Sequence, residues 1–243
     1  MRLPFGESLA RRRTRQALPT EVHARLAALK VRSRERADED RSATRGLLSL
    51  ARFVAMDLET TGPNMYVDRI ISIGGVAVVE RAVRHADAFE VVVRQEHESE
   101  VDNILVHQIG GQEQRAGVER VTALLSFLEY VDGSACVAFR AEFDATVLRR
   151  ELRQCLGIAL DLRWLDLAAI LPALFPSTPN DTLDEWTAHF GLPPIGRHHA
   201  IADAYAVGQL LLYAIDQAQR VGLTTAGDLL DLEKAQRWLG RRR

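Results

Sequence analysis

Residues 53–62 read FVAMDLETTG, an apolar run that carries two carboxylates and then breaks at Thr-Thr-Gly. In an extended chain, residues two apart point to the same side, so Asp57 and Glu59 are predicted to project together from the end of a strand. Two neighbouring like charges make each other costlier to ionise, and a cation between them removes that cost. Oxygen ligands of this kind suit Mg²⁺ or Mn²⁺. The alternative is a solvated strand end followed by an ordinary turn.

Working outward from this segment, hydrophobic periodicity predicts the other elements. Strands are predicted at residues 52–57, 70–79, 88–93, 135–139 and 164–167, and helices at about 20–45, 118–130, 141–154, 168–175, 182–190, 200–219 and 225–239. Residues 95–117 are predicted to be irregular. Because the first three strands follow one another through short connections, they are expected to form an antiparallel meander. The whole order predicts an α/β fold with a mixed sheet flanked by helices.

The bulk composition limits the class of protein. The 243 residues are 47% hydrophobic, which suffices for one core with additions or for two small domains. No apolar run is long enough to span a bilayer, and no signal-peptide core precedes the basic run at residues 11–13. The two cysteines are too few for a disulfide framework and lack metal-type spacing. We therefore expect a cytoplasmic protein with no membrane partner.

Charge is distributed unevenly along the chain. Residues 1–50 contain 12 Lys and Arg against 6 Asp and Glu and carry +6, whereas the remaining 193 residues carry −8. Residues 1–19 are predicted to form a loosely attached arm, followed by a helix from Thr20, as N-cap, to about Arg45. This extension either contacts nucleic acid or a protein partner, or it is a solvated helix lying across the body. We favour the solvated helix.

Two further segments place a carboxylate where apolar packing is expected. In VAFRAEFD, residues 137–144, Asp144 falls in the first turn of a helix, where the helix dipole alone makes an acidic residue favourable. In RHHAIADA, residues 197–204, Asp203 interrupts a row of small apolar residues. A charge on a packed face is costly unless it is paired or bound to a metal. His198 is expected in the loop before that helix, with a surface or hydrogen-bonded histidine as the alternative to a functional one.

Together the three segments resemble the DEDDh family of 3′–5′ exonucleases, the DnaQ-like group that includes the epsilon subunit of bacterial DNA polymerase III and ribonuclease T. The matching motifs are DLETTG at 57–62, AEFD at 141–144, and His198 followed by Asp203 after four residues. Supporting matches are DRII at 68–71 with Ile73-Gly74 after it, ILVH at 104–107, LDEW at 183–186 and FGL at 190–192. The resemblance covers about residues 50–215.

The resemblance implies a ribonuclease H-like fold with a five-stranded mixed sheet, here with an N-terminal helical extension. It implies two divalent cations, Mg²⁺ or Mn²⁺, and release of nucleoside 5′-monophosphates from the 3′ ends of DNA or RNA. The residues that it assigns are Asp57, Glu59, Asp144 and Asp203 as metal ligands and catalytic carboxylates, His198 as general base, and Thr60, Thr61 and Gly62 as contacts to the terminal nucleotide.

The sequence departs from the family pattern at Phe139-Arg140, where the family usually has His-Asn. Arg140 is expected either to hold a substrate phosphate, which we favour, or to pair with a ligand carboxylate and weaken metal binding. Ser72 replaces a glutamate that is common in the second strand of the family, with no loss of chemistry expected.

Three predicted segments follow: a basic N-terminal extension at 1–48, an exonuclease domain at 49–221 and a C-terminal helical tail at 222–243. The expected partner is single-stranded or 3′-ended nucleic acid. An RNA-trimming or oligonucleotide nuclease of the same chemistry is one alternative, and a catalytically weak nucleic-acid-binding adaptor is another. A P-loop kinase or ATPase is excluded, because the sequence contains no Gly-x-x-x-x-Gly-Lys-Ser/Thr.

Overall fold

A computed structural model describes residues 18–43, 47–160, 162–178, 180–193, 196 and 198–240. Its five strands are β1 (Phe53–Thr60), β2 (Ile70–Val79), β3 (Ala82–Val92), β4 (Ala135–Ala138) and β5 (Trp164–Asp166). They form one sheet in the order β3-β2-β1-β4-β5. The β1–β2 and β2–β3 pairs are antiparallel, whereas β1–β4 and β4–β5 are parallel. The predicted meander and the five-stranded mixed sheet are confirmed.

The helices flank this sheet. They are α1 (Thr20–Ala43), α2 (Val101–His107), α3 (Gly111–Ala116), α4 (Arg120–Val131), α5 (Glu142–Glu151), α6 (Leu167–Leu174), α7 (Leu183–His189), α8 (Ala200–Arg220) and α9 (Ala226–Gly240), with a π-helical turn at Leu152–Leu156. The prediction that residues 95–117 are irregular is wrong, because α2 and α3 lie there. Both helices are short, and α2 turns Val101, Leu105 and Val106 to solvent, so neither shows the apolar stripe that predicts a helix.

Strand β1 lies at the centre of the sheet and is buried on both faces. Phe53 and Ala55 belong to one apolar cluster, which β1 shares with α6, α8 and α9. Val54, Met56 and Leu58 belong to a second cluster on the other face, with α4 and α5. This period of two is the alternation expected of a strand covered by helices on both sides.

Two strands are longer than predicted. Strand β1 continues past Asp57 to Thr60, and β3 begins at Ala82 rather than at residue 88. The polar residues at 84–87 hide the start of β3 in the sequence, because an edge strand can expose them. Pairing with β2 is also irregular there, with a register shift between Val76 and Ala77.

Helix α1 packs against α4 through its first turns. Val22 and Leu26 are buried, and the Arg25 guanidinium donates to both carboxylate oxygens of Glu129 at 2.9 Å. Thr20 is the first helical residue and not the N-cap, since the Pro19 carbonyl accepts the His23 N–H. Residues 1–17 of the predicted arm and the predicted helix end at Arg45 lie outside the described residues. Across the described ranges, no helix is both long and apolar enough to cross a bilayer.

Candidate active site

Strand β1 delivers the first two carboxylates from within the strand. Asp57 and Glu59 are half-buried, and in the antiparallel ladder they stand opposite Gly74 and Ser72 of β2. The expectation that they leave from the end of the strand is therefore corrected, because β1 runs to Thr60. Their spacing of two still places both on one face of the sheet, which is what the sequence predicted.

The third carboxylate, Asp203, belongs to α8, which packs directly on the backbone of β2 at Gly74. A Cβ atom at Gly74 would lie 2.1 Å from the carbonyl carbon of Ala200, the first residue of α8. Only glycine admits so close a backbone approach. The first turn of α8 carries Asp203, which is buried with 5% exposure. Sequence analysis gave Gly74 no role beyond a supporting family match, although a glycine inside a buried strand is the signal for such contact.

Asp57, Glu59 and Asp203 converge. One carboxylate oxygen from each lies within 4.8 Å of the other two, a separation that a single small cation can bridge. Among the described residues this is the group whose His, Cys, Asp and Glu ligand atoms meet that criterion. Carboxylate oxygens are hard ligands that suit Mg²⁺ and Mn²⁺.

Asp144, the fourth predicted ligand, lies beside this cluster. It is in the first turn of α5 with 4% exposure, and its carboxylate accepts the backbone N–H of Leu58 and its own N–H. Its pKa is raised to about 8, mainly by burial and also by the negative charges of Asp166 and Glu59, while the two hydrogen bonds oppose the rise. An ionised Asp144 is therefore costly unless a positive charge lies close to it.

His198 lies in the loop immediately before α8, as the sequence predicted. Its side chain is exposed, and its backbone has a φ of 63°, in the left-handed region. Its backbone N–H donates to Asp203 Oδ2 at 3.2 Å, which ties the loop to the carboxylate cluster. An exposed imidazole at this position can reach water and a substrate at the edge of the site.

The segment that follows β1 is a hydrogen-bonded turn. Thr60 Oγ1 donates to the Gly62 carbonyl at 2.7 Å, and Thr61 Oγ1 donates to Asp68 Oδ1 at 3.0 Å. The Thr60 carbonyl accepts Nδ2 of Asn103, from α2, at 2.8 Å. Asn103 was missed by sequence analysis, because α2 was not predicted.

Arg150 holds the far side of the same turn. Its guanidinium donates to the Met65 carbonyl at 2.6 Å and also to the Asp68 carbonyl. Arg150 comes from α5, the helix that begins with Asp144, so one helix supplies a candidate ligand and fixes the turn beside it. A charged donor to backbone carbonyls was not predictable without the fold.

Arg140 stands in the turn between β4 and α5 with a φ of 61°. Its backbone N–H donates to Asp166 Oδ1 at 2.9 Å, and its Nη2 donates to the Asp181 carbonyl at 3.2 Å. Neither partner is one of the four predicted ligands. The same Asp166 oxygen accepts the Ala168 N–H and so caps α6. Asp166 was also missed, although an acid directly before a helix is a common N-cap signal.

The chain is similar in sequence to known proteins. A family model described as an exonuclease matches residues 54–211. The PolC-type DNA polymerase III of Thermotoga petrophila is 28% identical over 188 residues, which are 75% of this chain and 13% of that protein. The epsilon subunit of DNA polymerase III from Buchnera aphidicola is 29% identical over 171 residues, covering 66% of this chain and 71% of the relative.

Solved structures agree on the fold. E. coli exonuclease I in complex with a dT13 oligonucleotide aligns with a TM-score of 0.60 at 18% identity, covering 70% of this chain and 42% of that one. Cell-death related nuclease 4 aligns with a TM-score of 0.61 at 16% identity, covering 73% and 67%. At these identities the likeness establishes the ribonuclease H-like exonuclease fold alone.

The family-model match spans all five strands of the sheet apart from the first residue of β1, the whole of α5 with Asp144, the first part of α8 with Asp203, and the loop that carries His198. The chain spans about an eighth of the PolC-type relatives that it matches, so the activities of those whole proteins are not carried over to it. This chain belongs to the exonuclease family.

Proposed function

We propose that this chain is a metal-dependent 3′–5′ exonuclease of the DEDDh type that releases nucleoside 5′-monophosphates from single-stranded DNA. The observation that carries this proposal is the convergence of Asp57, Glu59 and Asp203 within 4.8 Å, from a strand and a helix that meet at a glycine. Three carboxylates this close repel one another, and a cation held between them relieves that repulsion.

The donor set fits two divalent cations. Asp57, Glu59 and Asp203 would hold them together with Asp144, whose raised pKa marks a carboxylate that gains from a nearby positive charge. When bound, Mg²⁺ or Mn²⁺ would polarise the phosphodiester and stabilise the charge that develops on the departing 3′-oxygen.

Other residues would supply the general base and the contacts to the bound strand. His198 would take the proton of the attacking water, since imidazole is a common general base and the loop that carries it is anchored on Asp203. The backbone of Thr60, Thr61 and Gly62, held by Asn103, would support the terminal nucleotide. Arg140 would contact a phosphate of the strand, because guanidinium groups bind phosphate oxygens well.

DNA is the proposed substrate because the relatives are DNA polymerase III proteins and exonuclease I was solved with a DNA oligonucleotide. Of the activities of the polymerase relatives, we propose only the exonuclease activity for this chain. The segment boundaries at 48 and 221, a cytoplasmic location and a protein partner for α1 stay predictions.

The test is degradation of single-stranded DNA and RNA labelled at the 3′ or the 5′ end, with Mg²⁺, Mn²⁺ or chelator. We expect metal-dependent release of mononucleotides from the 3′ end, faster on DNA than on RNA. Asp57→Asn should remove this activity, and Glu142→Gln, which changes an exposed acid in the first turn of α5, should retain it.

Other outcomes decide against the proposal in different ways. Faster release from RNA would favour the RNA-trimming alternative with the same chemistry. Binding of the strand without cleavage in either metal would favour the adaptor. Release from the 5′ end would overturn the assigned direction.

A further inference from the structure

Helix α9 reaches the edge of the site although it lies beyond the matched family region, which ends at residue 211. Leu229 is fully buried in the core, so the helix is anchored to the domain. One turn further on, Glu233 is buried with 6% exposure, and Arg237 follows it on the same face. These two side chains meet the end of β5, where Asp166 lies.

The contacts around Asp166 form a continuous network of hydrogen bonds and ion pairs. Arg237 Nε donates to Glu233 Oε1 at 2.7 Å, and Arg237 Nη2 lies 3.6 Å from Asp166 Oδ2. Glu233 also accepts the backbone N–H of Asp166. On its other side, Asp166 Oδ1 accepts the N–H groups of Arg140 and Ala168. Asp166 therefore joins the C-terminal helix to the turn that carries Arg140.

This link matters because Arg140 is in an unusual conformation. A non-glycine residue with a φ of 61° is strained by about 1 kcal/mol or more unless its surroundings hold it. The hydrogen bond from its backbone N–H to Asp166 is such a restraint. Arg237 approaches the opposite oxygen of the same carboxylate, so it balances the charge of Asp166 and leaves Oδ1 turned toward Arg140.

We propose that Arg237 is a positioning residue: by holding Asp166, it fixes the backbone of Arg140 so that the exposed Arg140 guanidinium meets a phosphate of the bound strand. This inference rests on the proposed function, because it assigns α9 a part in binding the same substrate. It makes the helix outside the family region a determinant of affinity and leaves the chemical step to the carboxylates.

The experiment is a double-mutant cycle on strand binding. A fluorescently labelled dT oligonucleotide is titrated with Arg140→Met, Arg237→Met and the double variant, each in an Asp57→Asn background that prevents degradation. Loss of one charged contact to phosphate should weaken binding roughly ten-fold, and the double variant should bind no more weakly than Arg140→Met alone. The plot of log affinity against log salt concentration has a negative slope, and its magnitude should decrease by about 0.7 in each variant.

Two further variants separate positioning from folding. Lys234→Met changes an exposed cation on the same helix that pairs with Asp231, and it should bind like the parent chain. Arg237→Lys keeps the charge but loses the planar fork, and it should recover part of the lost affinity. In the Asp57-containing chain, Arg237→Met should raise KM roughly ten-fold with kcat within about two-fold of the parent.

The inference is overturned if Arg237→Met binds like Lys234→Met, or if the losses of Arg140→Met and Arg237→Met simply add. It is also overturned if Arg237→Lys is as weak as Arg237→Met while both melt at the parental temperature. Failure of the proposed function has a separate signature, which is the absence of metal-dependent product from the unmodified chain. The binding cycle still decides the role of Arg237 in that case.

Discussion

The two ends of α5 each carry a buried carboxylate, and their surroundings are opposite. Glu151, at the last residue, is 2% exposed and lies 2.7 Å from Arg120 Nη1 and 3.5 Å from Arg150 Nη2. Asp144, in the first turn, is 4% exposed, and its charged neighbours Asp166 and Glu59 are themselves acidic. One acid is balanced by arginines, and the other is grouped with acids.

This difference separates a structural carboxylate from a functional one. A buried ion pair is complete within the chain, and removing one partner leaves an uncompensated charge. Grouped acids repel one another, and a cation held between them relieves that repulsion. Neutralising an acid should therefore have opposite consequences at the two ends of α5. Glu151 should matter for stability, and the acidic cluster around Asp57 should matter for turnover.

The largest effect is expected at Asp57, one of the proposed metal ligands. Asp57→Asn keeps the shape of the side chain but removes a ligand charge, so the rate should fall by roughly 10³-fold or more. The melting temperature in chelator should not fall, because a repulsive charge is lost. Steady-state kinetics and thermal melts check both statements. A rate within ten-fold of the parent would remove Asp57 from the metal site.

The second largest loss of rate is expected at His198, the proposed general base, whose side chain is exposed. His198→Asn suits the left-handed backbone at this position better than alanine does, so the loop should keep its shape while the base is lost. The rate should fall by roughly 10²–10⁴-fold with metal-dependent stabilisation retained. The exposed His97 is the control, and His97→Asn should be silent. Equal rates for the two variants would assign the base elsewhere.

Glu151 tests the structural end of α5. Glu151→Gln leaves Arg120 and Arg150 without their balancing charge, and the free energy of unfolding should fall by about 3 kcal/mol. Urea denaturation measures this change, and Glu142→Gln at the exposed first residue of the helix is the matched control. The rate per folded molecule at saturating substrate should stay within about three-fold of the parent, because no candidate ligand changes. A stable but inactive Glu151→Gln would show that the two ends are not separate.

The sequence was sufficient for the parts of this comparison that depend on local pattern. The spacing of Asp57 and Glu59 predicts a shared face, and the small residues around Asp203 predict a tightly packed helix. It was not sufficient for Gly74, Asn103 or Asp166, whose roles depend on which backbone lies opposite them. Helices α2 and α3 were missed for the same reason, since tertiary contacts and not an apolar stripe hold them in place.

Some properties of Arg140 could be predicted from the sequence, and others could not. Its replacement of the usual asparagine was visible in the sequence, and so was the choice between phosphate and carboxylate as its partner. The left-handed backbone of Arg140 could be seen only in the structure. Asparagine is well tolerated in this conformation, and arginine is not. The restraint supplied by Asp166 and α9 could not be predicted, because residues 166 and 237 are far apart in sequence.

The smallest effect is also the most direct test of the comparison, and it is the pH dependence of stability at Asp144. Because its folded pKa is raised to about 8 from 3.8, the stability that the protonated form provides is lost as pH rises between those values. Metal-free parent protein should therefore be less stable at about pH 8 than at about pH 5, and Asp144→Asn, which cannot ionise, should be the more stable chain at the higher pH. Mg²⁺ should restore the parent at the higher pH and do less for the variant, because the cation favours ionised Asp144. Parallel stability curves for the two chains would mean that Asp144 is as well balanced as Glu151, and the distinction between the two ends of α5 would fail.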